Sequence, residues 1–244
     1  MNKLFIVVLV IIGIFIGVNA SSGEIKSDSV LRKKTSEQFL ELKNVPINKS
    51  LPYVDSEAVA KIRSGQDTAR RMIILYHVVA VGYGVDREKV TKRLTSTDLW
   101  KYVSPEEKAF LESKKPSKQQ IIDATWRVEA VWSLLWALGK TQGLDFPTKI
   151  IDPQTIQTIH SFMPKPENFI QYIKSAVLRP KNEILDATDL IYRIHWAVRD
   201  AQINGKKTPG NLNGGVVVER HYTLNWLTWY ADEWDDITTD TPRL

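Results

Sequence analysis

Between Thr125 and Leu138 the chain carries Trp126, Val128, Val131, Trp132, Leu134, Leu135 and Trp136 among alanines. Wound as a helix, these residues present apolar or aromatic surface on nearly every side. A helix of that kind belongs at the centre of a fold, with other elements packed around it. Two charges interrupt it. At about 100° per residue, Arg127 shares a stripe with Val131, Leu134 and Leu138, and Glu129 shares another with Trp132, Ser133 and Trp136. The two point apart and cannot pair with each other. Each therefore needs a partner from elsewhere, because an unpaired buried charge costs on the order of several kcal/mol. The partners make either structural salt bridges that lock the helix to its neighbours or the charged floor of a pocket. The structural reading is favoured, since ion-pair networks also perturb buried groups.

Helical signals continue on both sides. Ala58, Val59, Ile62, Ala69, Met72, Ile73 and Tyr76 recur at helical spacing and predict a helix over residues 56–81, with Gly65 as a break. Tyr83-Gly84-Val85-Asp86 reads as a turn. Ser104-Pro105-Glu106-Glu107 is a helix start, and Ser117 with Gln120 forms a second start of the capping-box type. That second helix runs to Leu138, where Gly139 stops it. A proline-bearing connection follows, with helices expected over 167–177, 182–203 and 216–234 and a surface loop over 204–215. Strand-like alternation is nowhere long enough to insist on a sheet. The expected fold class is all-α, a compact, irregular multi-helix single domain over residues 31–241.

The N-terminus adds an expectation about location. Met-Asn-Lys is followed by an uncharged apolar run from Leu4 to Val18, then by the small residues around Ala20. This order reads as a signal peptide over residues 1–20, cleaved after Ala20, with 21–30 a flexible lead-in. The run is shorter than the roughly 18–20 apolar residues of a spanning helix. The expected location is thus exported, periplasmic or secreted, with no membrane attachment after cleavage. The chain has no cysteine, which excludes a lipid-anchored exit, a thiol nucleophile and thiolate metal sites. Its formal charge of +5 is scattered among acids rather than clustered on one face, so no nucleic-acid partner is expected.

Three further constellations could carry chemistry. In the segment 183–196, Asp186, Asp189, Arg193 and Asp200 fall on one stripe, and Asp189 with Arg193 is an acid-before-base pair four residues apart. The core face there is Ala187, Ile191, Ile194 and Val198, with His195 at its edge, either as a hydrogen-bonded core histidine or as a proton-transfer group. In the segment 218–226, Glu219 lies on an aromatic face and needs a buried partner, for which Arg127 is chemically suited. His221, Asn225, Thr228 and Asp232 form a polar stripe next to Arg220, read as a wet surface rather than a groove wall. Finally, Asp235, Asp236 and Asp240 place three carboxylates within six residues. Oxygen ligands of this kind suit hard cations, but the spacing is not that of a calcium loop, and a capping acidic tail fits as well. No metal or other cofactor is called for.

These blocks also carry a resemblance. Trp126-Arg-Val-Glu129 with Leu135-Trp-Ala-Leu-Gly139, Glu183-Ile-Leu-Asp186, Arg193-Ile-His-Trp-Ala197, Glu219-Arg-His221 with Leu224-Asn-Trp226, and Trp234-Asp-Asp-Ile-Thr-Thr-Asp240 resemble the domain-of-unknown-function family 4272. The similarity extends over roughly residues 32–241. It implies a single helical domain and brings no catalytic assignment. Without a complete catalytic motif, the expected function is a non-catalytic binding or interaction protein. The rival is a hydrolase, with or without metal assistance, built on His195, His221 and the Asp235/Asp236 pair.

Overall fold

The computed structural model describes residues 22–241, with the side chains of residues 22–27 and 153 outside that description. The expected signal peptide and its cleavage after Ala20 lie outside the described residues. Among the described residues there are nine α-helices and no strand: α1 Ser22–Leu42, α2 Gly65–Gly82, α3 Arg87–Ser96, α4 Pro105–Glu112, α5 Lys118–Ala137, α6 Pro153–Phe162, α7 Phe169–Lys174, α8 Lys181–Ile203 and α9 Gly214–Leu227. None of them is long and apolar enough to cross a membrane.

The long helices pack in the order α1, α8, α9, α5, α2, each chiefly against the next, and α2 against α5 is the most extensive of these faces. The helix from Lys118 is therefore central, as its apolar circumference requires, and Ala130, Val131, Leu134 and Leu135 are fully buried. The shorter α3, α4 and α7 flank α2, and α6 sits against α5. One continuous core results, so the chain is a single all-α domain.

The caps behave as their residues dictate. Ser104 and Ser117 each accept from the backbone N–H three residues on, and Glu107 and Gln120 reach back to complete two capping boxes. Gly139, just past α5, has φ 69°, a conformation that a side chain would strain.

Several boundaries differ from expectation. Residues 56–64 do not join α2: Arg63 and Ser64 are held outside it, the first by its N–H to Leu227 O at 2.9 Å and the second as the N-cap. The segment 22–30, expected to be a lead-in, is the start of α1. The last helix ends at Leu227 instead of 234, because Trp229 turns to φ 58° and the chain folds back. Helix α6 arises inside the proline-bearing connection. Its signal, Asp152 accepting from Thr155 N–H with Pro153 in the first turn, is a standard start that the prolines obscured. Helix α3 likewise follows an N-cap, Asp86, that reads as part of the preceding turn.

Candidate functional site

The charges on the central helix find partners on α9. Arg127 Nη1 donates to both carboxylate oxygens of Glu219, at 3.3 and 3.0 Å. Glu129, which is fully buried, accepts from Arg220 Nε and Nη2 at 3.3 Å and from Ile151 N–H at 2.9 Å. Residues 127 and 129 on one helix thus meet 219 and 220 on the other, and the two ion pairs fix the register of α5 on α9. Burial favours lowering the charge on Arg127, but Glu219 and Tyr222 outweigh it and hold the guanidinium above its ordinary range. At Glu129 burial dominates over the pull of Arg220 and pushes the carboxyl above its usual range.

Helix α8 is buried nearly all round, between α1 and α9. Asp189 and Arg193, which would form only a weak pair if exposed, are instead at the bottom of the α1 interface, 0% and 2% exposed. Arg193 Nε and Nη2 clasp both Asp189 oxygens at 2.8 and 2.7 Å, Nη2 also reaches Pro52 O at 3.2 Å, and Nη1 lies 3.8 Å from Glu37 on α1.

The Trp234 segment is a clasp. Its indole is buried beside the guanidinium groups of Arg71, 5.1 Å from the ring centre, and Arg127, at 5.6 Å. Tyr222 OH donates to the Trp234 carbonyl. Asp235 then accepts from Glu106 N–H at 2.9 Å, at the N-terminal end of α4, where a carboxylate is favoured. Asp236 and Asp240 are exposed. Among the described residues no three or more His, Cys, Asp or Glu gather as a metal site would require. The structure therefore does not bring Asp235 and Asp236 to the histidines, because Asp235 is drawn to α4.

His195 and His221 do meet. Their Nδ1 atoms lie 2.7 Å apart across α8 and α9, and both rings are 2% exposed. The polar stripe of α9, expected to be wet, is covered at His221 and Asn225. Asn225 Nδ2 donates to Thr238 O at 2.8 Å and ties down the C-terminal segment over them. Burial pushes His195 down to about 4, with the Arg199 cation adding to the effect and Asp240 opposing it. Burial and the neighbouring His195 push His221 down to about 3. Both imidazoles are neutral at pH 7. One Nδ1 therefore carries the proton and the other accepts it.

A larger concavity than those beside the histidines lies elsewhere. A cleft of about 650 Å³ opens between α1 and α8, closed at one end by the 142–147 loop and floored by Leu224 and Arg220 of α9. Leu31, Phe39, Phe146, Leu190 and Ile194 are among the apolar residues of its wall. Of the residues singled out from the sequence, Arg220 lines it, as do Asp186, Ala187, Ile191 and Ile194 of α8. The signal for the rest was present in Leu31, Thr35 and Phe39, which recur at four-residue spacing and so share one face of α1.

No curated protein and no solved structure matches the chain. The family model described as Domain of unknown function (DUF4272) matches residues 32–237, and the chain belongs to that family.

Proposed function

We propose that the domain is a non-catalytic binding protein that takes a small, uncharged, largely apolar molecule into the cleft between α1 and α8. The observation that carries this reading is the chemistry of the cleft wall. Its volume of about 650 Å³ is in the range of small-molecule sites, and its surface is mainly aliphatic and aromatic. The arginines at its edge are already engaged. Arg32 donates to Asp186 at 2.9 Å and to Asp55 O at 3.1 Å. Arg179 donates to Glu183 at 2.8 Å and to Trp136 O at 2.6 Å. Arg220 is held by Glu129 and by Asp145 O. An anionic ligand would have to break one of these arrangements, whereas an apolar one gains by leaving water.

The test uses the neutral fluorophore N-phenyl-1-naphthylamine. Its emission is expected to rise saturably with the parent chain and to fall to the buffer level with Thr35→Trp, which fills the cleft from the exposed side of α1, and with Leu190→Arg. Circular dichroism checks that both variants fold. Emission that stays at the buffer level with the parent, or is equal in the parent and both variants, overturns the proposal.

Export is part of the same proposal. It rests on the apolar run from Leu4 to Val18 followed by small residues. Mass spectrometry of the chain recovered from a periplasmic or culture fraction is expected to show the first 20 residues removed, and recovery of the full-length chain from the cytosol alone would refute it.

A further inference from the structure

The histidine pair has one nitrogen that the fold leaves without a use. His195 Nδ1 faces His221, but Nε2 is buried and has no hydrogen-bond partner among the described residues. A buried polar atom left unsatisfied is destabilising, so a partner from outside the chain is favoured there. His195 lines a second cavity, of about 550 Å³, at the C-terminal end of α8. Arg199, one turn further along the same helix, lines it too, and so does Asp240 on the covering segment. Both are exposed, and neither has an ion-pair partner among the described residues; Arg199 Nη1 donates to the neutral Gln202 Oε1 at 3.3 Å. Asp200, also on the wall, accepts from Asn204 Nδ2 at 3.0 Å but keeps its negative charge. Among the described residues the cavity thus presents one cation, Arg199, two carboxylates, Asp200 and Asp240, and one neutral nitrogen held at a fixed point between α8 and α9.

We propose that this cavity binds a small zwitterion of the amino-acid type, with its carboxylate on Arg199, its ammonium on Asp240, and one of its N–H groups donated to His195 Nε2. A monoanion would leave Asp240 facing it, and a monocation would leave Arg199 facing it. A zwitterion sets its carboxylate against Arg199 and its ammonium against the acidic side formed by Asp240 and Asp200. Accepting at Nε2 places the imidazole proton on His195 Nδ1, and so makes His221 the acceptor in the pair. The bound molecule therefore fixes the tautomer of both rings. His221 lines a separate cavity together with Tyr192 and Asn225. Its Nε2 would then carry the proton, as a hydrogen-bond donor towards that side.

The experiment titrates the full chain, labelled with ¹⁵N at the imidazole nitrogens, at pH 7.5 with glycine, L-serine and L-glutamine, and separately with acetate and methylammonium. At least one amino acid is expected to shift the His195 Nε2 resonance saturably towards an unprotonated acceptor. The His221 Nε2 resonance should move in the opposite sense. Arg199→Ala and Asp240→Asn, both at exposed positions, are expected to weaken that response about tenfold or more each. Lack of response to all three amino acids, an equal response to acetate or methylammonium alone, or unchanged affinity in both variants overturns the proposal.

Discussion

His195 and His221 share a single hydrogen bond, Nδ1 to Nδ1 at 2.7 Å, inside the α8–α9 interface. The bond exists only while at least one ring is neutral, since two imidazolium rings are both donors. His77 is a third buried imidazole, pushed down to about 4 by burial, with Nδ1 on the Ile73 carbonyl at 2.8 Å.

This arrangement sets a pH dependence. The folded chain keeps the three rings neutral at pH values where the unfolded chain, with ordinary imidazoles, binds protons. Their contribution to stability is complete above about pH 6.5 and is lost as pH falls towards the folded values of about 3–4. Glu129 and Glu219, both raised by burial, act in the opposite sense. The clean reading is therefore a difference between chains. His195→Gln is expected to reduce the slope of unfolding free energy against pH between 6 and 5 by about 1.4 kcal/mol per unit, the value for one proton. Urea unfolding at stepped pH measures it, and an unchanged slope would contradict the neutral-pair description.

Removing Arg127 leaves Glu219, whose side chain is only 14% exposed, without its cation. Arg127→Ala is expected to cost about 3–5 kcal/mol, while Arg127→Met with Glu219→Leu recovers most of the loss, because the penalty is the orphaned charge. Chemical denaturation of the two chains decides. Equal stability of Arg127→Ala and the parent would refute the claim.

Arg63 lies between two indoles, 4.4 Å from the Trp226 ring centre and 4.1 Å from that of Trp229. It donates to the carbonyls of Trp226, Ala231 and Asp232 at 2.7, 2.7 and 2.6 Å. That clamp holds Trp229 at φ 58°, a conformation that is unusual for a bulky residue. Lysine keeps the charge but loses the planar fork. Arg63→Lys is expected to cost about 2–3 kcal/mol and to open the chain after Leu227 to limited proteolysis. A protease pattern identical to that of the parent would count against the clamp.

Gly65 opens α2 against the 176–177 backbone. A Cβ there would sit 2.3 Å from the Ala176 carbonyl oxygen. Helix propensity favours alanine over glycine by at most about 1 kcal/mol, and less at a helix end. The clash is with backbone, which yields little, so overpacking of about 1–3 kcal/mol wins. Gly65→Ala is expected to lower the melting temperature, and a rise would show that the α2–α7 contact adjusts freely.

Much of the architecture was legible from residues alone. The apolar circumference of the 125–138 segment placed it at the centre, and serine, proline and glycine marked the caps of α4 and α5. Glu219 on an aromatic stripe asked for a cation, and Arg127 answered it. What misled was local reading where distant contacts decide. Residues 56–64 have helical spacing, yet Arg63 is committed to carbonyls in the last turn of α9 and just beyond it. Asp189 and Arg193 look like a surface pair, because nothing in their spacing reveals that α1 covers them. Asp235 looked like a companion of the histidines until the fold gave it the end of α4.

Sequence periodicity and end residues determine which stretches are helical and which faces must leave water, because both depend on interactions within a few residues. Tertiary structure alone decides which charge meets which, that two histidines 26 positions apart share one proton, and where α1 leaves a cleft unfilled. Those outcomes follow from the packing of helices distant in the chain, and desolvation gives them their energy.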